Sequence, residues 1–238
     1  MSALAHQQGV VAAGSPSGSA SMPFVVGRTA FAQNTSTSIG INFGAPKVGN
    51  LLIAVFAADM ELAPSQSGWT KLVGKAALID ERRLALQVFA KLAVAGNNAV
   101  SIENQPPWVP VESAAVGFEI AGPTAVAKAI ADIQQFGSGT AFASPPLVVD
   151  GSGPALWLSV AAWKSVDRNV ESKIVDYPGN MPKGNRSISS SYVSGQYASM
   201  PGIACAEVAT DGAMFQPQAF TTDNADALAV AAIIGIRT

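Results

Sequence analysis

Sixteen carboxylates, one histidine and one cysteine are the side chains with which this chain could do chemistry. Two carboxylates facing each other across a cleft are enough for glycoside hydrolysis. Glu103, Glu112 and Glu119 fall in or beside expected strands, where the plain reading is a solvated strand face. His6 is the sole histidine and lies in a linker-like N-terminal segment, which removes histidine-dependent triads and histidine-rich zinc sites from the folded body. Cys205 stands alone, so neither an internal disulfide nor a multi-cysteine metal cage can form. Within Ile203-Ala204-Cys205-Ala206 it reads as a small buried hydrophobe. The segment Gly68 to Lys75 ends in Gly-Lys, but one residue too many separates its glycines. Ala76 also replaces the hydroxyl that would hold magnesium, so it is not a phosphate loop. Asp223-Asn224-Ala225-Asp226 lacks the spacing of a calcium loop and reads as a turn. No catalytic, metal or cofactor-binding residue is expected, and the chain is not expected to be an enzyme.

The tryptophans are the remaining candidates for recognition. Trp69 and Trp157 occupy strand positions and are expected in the core, while Trp163 ends its strand and is expected to be half exposed. Trp108 sits in the proline-punctuated segment Gln105-Pro106-Pro107-Trp108-Val109-Pro110. It could anchor a protein contact or stack on a sugar, or it could cap the end of the fold.

What must position these residues is a chain of 238 residues with 49% apolar and only 13% charged side chains. Ordinary soluble domains carry about 25% charged residues. A surface so poor in charge is weakly protected against association, which points to compactness or to cover by neighbours. The net charge is −2, and the basic residues are scattered. Without a basic stripe to neutralise phosphates, nucleic-acid binding is excluded. Met1 to Gly9 has neither the positive nor the apolar region of a signal peptide. No apolar run reaches the ~20 residues of a membrane-spanning helix.

Residues 1–23 are rich in small residues and cannot supply a core; they are expected to act as a docking arm, with Leu4, Val10 and Val11 as anchors. From Phe24 to the end, residues 24–238, strand patterns alternate with Gly, Pro and Asn turns. Leu51 to Ala58 is continuously apolar, as expected of a strand buried on both faces. Leu84 to Leu92 reads as a strand for its short length and the Gly96-Asn97-Asn98 turn that follows. In 123–135, Pro123 could open a short helix with Val126, Ile130, Ile133 and Phe136 near one face, whereas the surroundings favour strand. Both readings stand. The segment Gly49 to Asp59 aligns without a gap on Gly153 to Trp163, matching at the glycine, one leucine and the paired alanines. That weak repeat suits a sandwich of two similar halves. The fold class expected is all-β, a jelly-roll-like β-sandwich with an extended N-terminal arm.

Four segments carry a resemblance: Gly49-Asn50-Leu51-Leu52-Ile53-Ala54, Gly68-Trp69-Thr70-Lys71-Leu72-Val73, Leu84-Ala85-Leu86-Gln87-Val88-Phe89-Ala90-Lys91 and Ala115-Val116-Gly117-Phe118-Glu119-Ile120-Ala121-Gly122. In this order they resemble a recurring β-sandwich module of bacteriophage virion proteins, above all tail-fibre and minor tail proteins. Asn50 stands where that module has an acid, and Phe118 where it has a tyrosine. The resemblance covers roughly 38–122 by motif and implies a virion structural role with no catalytic residues. The function expected is therefore assembly, as a tail-fibre, collar or head accessory protein. A carbohydrate- or receptor-binding module of a fibre and a capsid decoration protein are the alternatives. Its partners are expected to be other virion proteins and copies of itself in a homo-oligomer, with a host surface glycan as a further candidate. It is expected in the virion after synthesis in the host cytoplasm, without membrane insertion or cofactor.

Overall fold

A computed structural model describes residues 21–79, 82–103, 111–123, 125–136, 139–151, 153–165, 167, 170–181, 183–189, 191–192, 199–225 and 227–238. The first half holds β1 (Phe24–Arg28), β2 (Ala32–Ser36), β3 (Ser38–Ile41), β4 (Leu51–Ala58), β5 (Ala63–Pro64), β6 (Thr70–Ile79), β7 (Arg82–Leu92), β8 (Val100–Glu103) and β9 (Val111–Ala121). Its main sheet runs β1-β9-β4-β7-β6, with β2 continuing β1 along β9, and β3-β8-β5 forms a smaller sheet. After a single 3-10 turn at Val126–Lys128, the second half holds β10 (Ala129–Phe136), β11 (Ala141–Phe142), β12 (Leu147–Val148), β13 (Ala155–Ser165) and β14 (Ile174–Asp176). It continues with β15 (Lys183–Ile188), β16 (Ser191–Tyr192), β17 (Ser199–Met200), β18 (Gly202–Thr210), β19 (Met214–Phe215), β20 (Phe220–Thr222) and β21 (Ala227–Arg237). Here the main sheet runs β10-β21-β13-β18-β15, covered by β11-β20-β14 and the two-stranded β12-β19. Ribbon β16-β17 completes the described strands.

The two halves have one topology. Counting the principal strands of each half from one to eight, both main sheets read 1-8-3-6-5 and both covers read 2-7-4. The orders 1-8-3-6 and 2-7-4 are those of a jelly roll, with the fifth strand moved to the edge of the main sheet. The chain is thus an all-β sandwich made of two jelly-roll halves. The repeat is real, but its register differs by one residue from the gapless alignment. That alignment equates Leu52 with Leu156, yet Leu52 faces its own cover layer while Leu156 faces the opposite main sheet. A one-residue slip exchanges the faces of a strand. The proper register is marked by Gly117, opposite Ala54, and Gly235, opposite Trp157.

Both glycines are required by close approach. A Cβ on Gly117 would lie 2.6 Å from the Phe43 ring, and one on Gly235 would lie 2.4 Å from Val149 and 2.7 Å from Trp157. The Trp157 ring is fully buried and cannot withdraw. Gly235→Ala is therefore expected to cost about 1–3 kcal/mol by overpacking. A urea denaturation midpoint unchanged from the parent would contradict this.

The halves meet through their main sheets. Leu51, Ile53, Val55 and Ala57 of β4 pack in one core with Leu156, Leu158, Val160 and Ala162 of β13 and Val230, Ala232 and Ile234 of β21. The alternate residues Leu52, Ala54 and Phe56 face the β3-β8-β5 cover. Central strands buried on both faces have no polar side to present, which is why Leu51–Ala58 and residues 227–236 read as unbroken apolar runs. Much of the missing charge is thus explained inside the chain itself.

Two local expectations are settled by packing. The described residues of 123–135 form no α-helix: a 3-10 turn leads into β10, which pairs with β21 from Ala129↔Ile236 to Phe136↔Ala229. The open edge of β21 supplies eight consecutive partners, and tertiary pairing overrides local preference. Trp163 is not half exposed but fully buried, donating its indole N–H to the Ser172 carbonyl at 3.2 Å.

Candidate functional site

The expected contact residues Leu4, Val10, Val11 and Trp108 lie outside the described residues, as does His6. Chemistry concentrates instead where the inter-sheet core reaches its rim. Asp59, Glu112 and Lys164 follow the inward-facing positions of β4, β9 and β13, so the strand alternation points all three toward the seam. Lys164 donates from Nζ to Asp59 Oδ1 at 2.7 Å and to Glu112 Oε2 at 2.5 Å. Lys164 and Glu112 are only 8% and 9% exposed. Burial raises the Asp59 carboxyl to about 6; the Lys164 charge opposes the rise and the Glu112 carboxylate adds to it. Two acids on one ammonium give the cluster a net negative charge when all three groups are ionised. None of the three described clefts is lined by any of them. The cluster ties one half to the other, and its acids are committed to that bond.

A second tie lies on the same seam. Arg28 of β1 donates from Nη2 to Glu207 Oε2 of β18. Gln33 of β2 donates from Nε2 to the Ser189 and Pro201 carbonyls at 2.6 and 2.8 Å. Neither pair has a sequence signature beyond a polar residue in an apolar strand neighbourhood. Asp59 and Lys164 carried a usable signal: each is a charge that directly prolongs a buried strand on its inward parity.

Other singled-out residues also have structural work. Glu119 accepts the Lys47 backbone N–H at 2.9 Å and the Asn50 side-chain amide at 2.6 Å, pinning the loop that enters β4. Glu103 is exposed at the end of β8. Asp223 accepts the Lys173 backbone N–H at 2.8 Å, in keeping with a turn before the last strand. Thr70 to Lys75 belongs to β6, so the Gly-Lys pair is strand and not a phosphate cradle. Cys205 is buried in the inter-sheet core.

The described tryptophans offer no open platform. Trp69 is 9% exposed, with Phe43 stacked at 5.8 Å and the Lys91 ammonium 6.0 Å above the ring. Trp157 is fully buried and stacks on Phe215 at 5.7 Å. A cleft of about 370 Å³ beside Trp69 is lined by Leu62, Pro64, Gln87 and Phe89, and the Glu61–Lys71 ion pair lies at its edge. Both ends of the Gln87 amide are taken by the Leu62 backbone, at 2.7 and 2.8 Å.

Apolar side chains do reach the surface at β1. Met22, Phe24 and Val26 are 43%, 55% and 46% exposed, and β1 is an edge of its sheet. Val25, between them, packs inward on the core. A bulge between Val25 and Gly27 breaks the regular edge, which blunts strand addition. Comparison of the chain with protein-family models, curated proteins and solved structures found no match.

Proposed function

We propose that the chain is a non-enzymatic structural protein of a bacteriophage particle, acting through assembly contacts with copies of itself and with other virion proteins. The observation that carries this reading is the exposed apolar run of Met22, at the end of the N-terminal arm, with Phe24 and Val26 on β1. Three large apolar groups are exposed at alternate positions of this short stretch, and exposed apolar surface of this kind marks contact sites. The resemblance of the segments around β4, β6, β7 and β9 to virion sandwich modules supports the same reading. The Asp59–Glu112–Lys164 cluster, as a bond between halves, supports a structural part rather than a hydrolase. Within this reading the arm 1–23 and Trp108 are further contact elements, and the particle is the place where the chain resides.

Light scattering of the full chain over a wide concentration range tests the self-association. Oligomers that persist to low concentration are expected. A single monomer peak throughout would overturn the homo-oligomeric part of the proposal.

A further inference from the structure

Each half has a cleft in the same place, between its first strand, its last strand and the loop entering its central strand. In the first half the cleft holds Arg28, Phe43 and Glu119; in the second it holds Lys128, Val149 and Arg237. Glu119 and Arg237 occupy equivalent positions, two residues beyond Gly117 and Gly235. Both pin the loop that enters the central strand, the acid by accepting donors of Lys47 and Asn50. Arg237 does so by donating from Nη1 to the Gly151 carbonyl at 2.6 Å, with Nη2 reaching the Gly212 carbonyl at 3.2 Å. The fold therefore accepts either sign of charge at this position.

The electrostatics of the two clefts differ. Arg28 has the Glu207 carboxylate as counter-ion. Arg237 is 5% exposed, and among the described residues no carboxylate lies within ion-pair distance of it. Its Nε, like that of Arg28, is buried without an acceptor, so the missing counter-ion is what distinguishes it. Neutral carbonyls only partly offset the burial of a cation, so the guanidinium is left with uncompensated charge. At the rim of this cavity of about 290 Å³, exposed Lys128 donates from Nζ to the Thr238 oxygen at 3.1 Å, and exposed Asp150 adds an anion.

We infer that the cavity between Lys128, Val149, Gly151 and Arg237 is a binding site for a single carboxylate group. A guanidinium fork matches a planar carboxylate, and two of its five N–H donors are engaged by backbone carbonyls. The volume admits a carboxylate with a short stem, supplied either by a small free acid or by an acidic side chain of a neighbouring chain. This site stands independently of the assembly reading, since its occupant can be a free molecule.

Calorimetric titration of the full chain with sodium acetate, against sodium chloride at equal ionic strength, tests the site. Saturable acetate binding is expected in the parent. Arg237→Gln should abolish it, and Asp150→Asn, which removes the rim anion from an exposed position, should tighten it several-fold. A capped Gly-Asp-Gly tripeptide that competes at lower concentration than acetate assigns the carboxylate to a protein side chain; acetate binding the tighter assigns it to a free acid. No saturable binding, equal binding in Arg237→Gln, or an affinity unchanged in Asp150→Asn would each overturn the inference.

Discussion

Replacing Lys164 with methionine is expected to destabilise the fold by about 3–5 kcal/mol at pH 7.5, because it leaves the buried Glu112 and the half-buried Asp59 without their cation. The loss should shrink on acidification, since protonation of either acid removes the charge that has no partner. Asp59→Asn should behave in the opposite way. In the folded protein Asp59 titrates near 6, above its ordinary value of 3.8, so the native state holds that proton more tightly than the unfolded chain. Its contribution to stability is fully present below about 4 and is lost as pH rises through about 6. The asparagine variant has no such group. It should match or exceed the parent by about 1 kcal/mol at pH 7.5, the 31% exposure of the Asp59 side chain screening part of the full effect. Urea denaturation of the three proteins between pH 4.5 and 7.5 measures both slopes. Parallel curves for parent and Asp59→Asn would show that the carboxyl is not perturbed by its neighbours.

Placing aspartate at both Phe24 and Val26 should dissociate the oligomer we propose while leaving the protomer folded. The two side chains are 55% and 46% exposed, so their exchange for acids removes little from the intramolecular core. Substitutions at such surface positions change stability by roughly 0.5 kcal/mol or less. At the centre of an interface an unpaired charge is far more damaging, and loss of an aromatic anchor alone costs about 2–4 kcal/mol. That corresponds to a weakening of roughly 30- to 1000-fold. Sedimentation of the double variant should therefore show monomer where the parent is associated. An unchanged oligomer with a lowered melting temperature would place Phe24 and Val26 in intramolecular packing instead.

How far the sequence reached depends on whether the deciding contact is local. The continuous apolarity of Leu51–Ala58 correctly signals burial on both faces, since nothing but two covered faces tolerates it. The short span of Leu84 to Leu92 and its following turn signal strand, and β7 covers it. The stretch 123–135 was ambiguous because Val126, Ile130, Ile133 and Phe136 lie near one helical face while the surroundings favour strand. The choice is made by the free edge of β21, about a hundred residues later in the chain. Trp163 is buried by the Ser172 loop, a contact that no strand pattern announces. The repeat was legible as a resemblance between β4 and β13, but its register depends on which face each residue presents. Gly117 and Gly235 fix that only once their cover layers are seen. Likewise the inter-sheet cluster joins residues 52 and 105 positions apart, and three single charges at strand ends do not reveal that they converge.

Electron cryo-microscopy of gradient-purified particles from the host that expresses this chain tests the assembly role most directly. The chain should co-purify with the particle, and its double jelly roll should repeat around a symmetry axis with the β1 face at a subunit boundary. Particles complete without the chain, which instead stays in the soluble fraction of the lysate, would contradict a structural role in the virion.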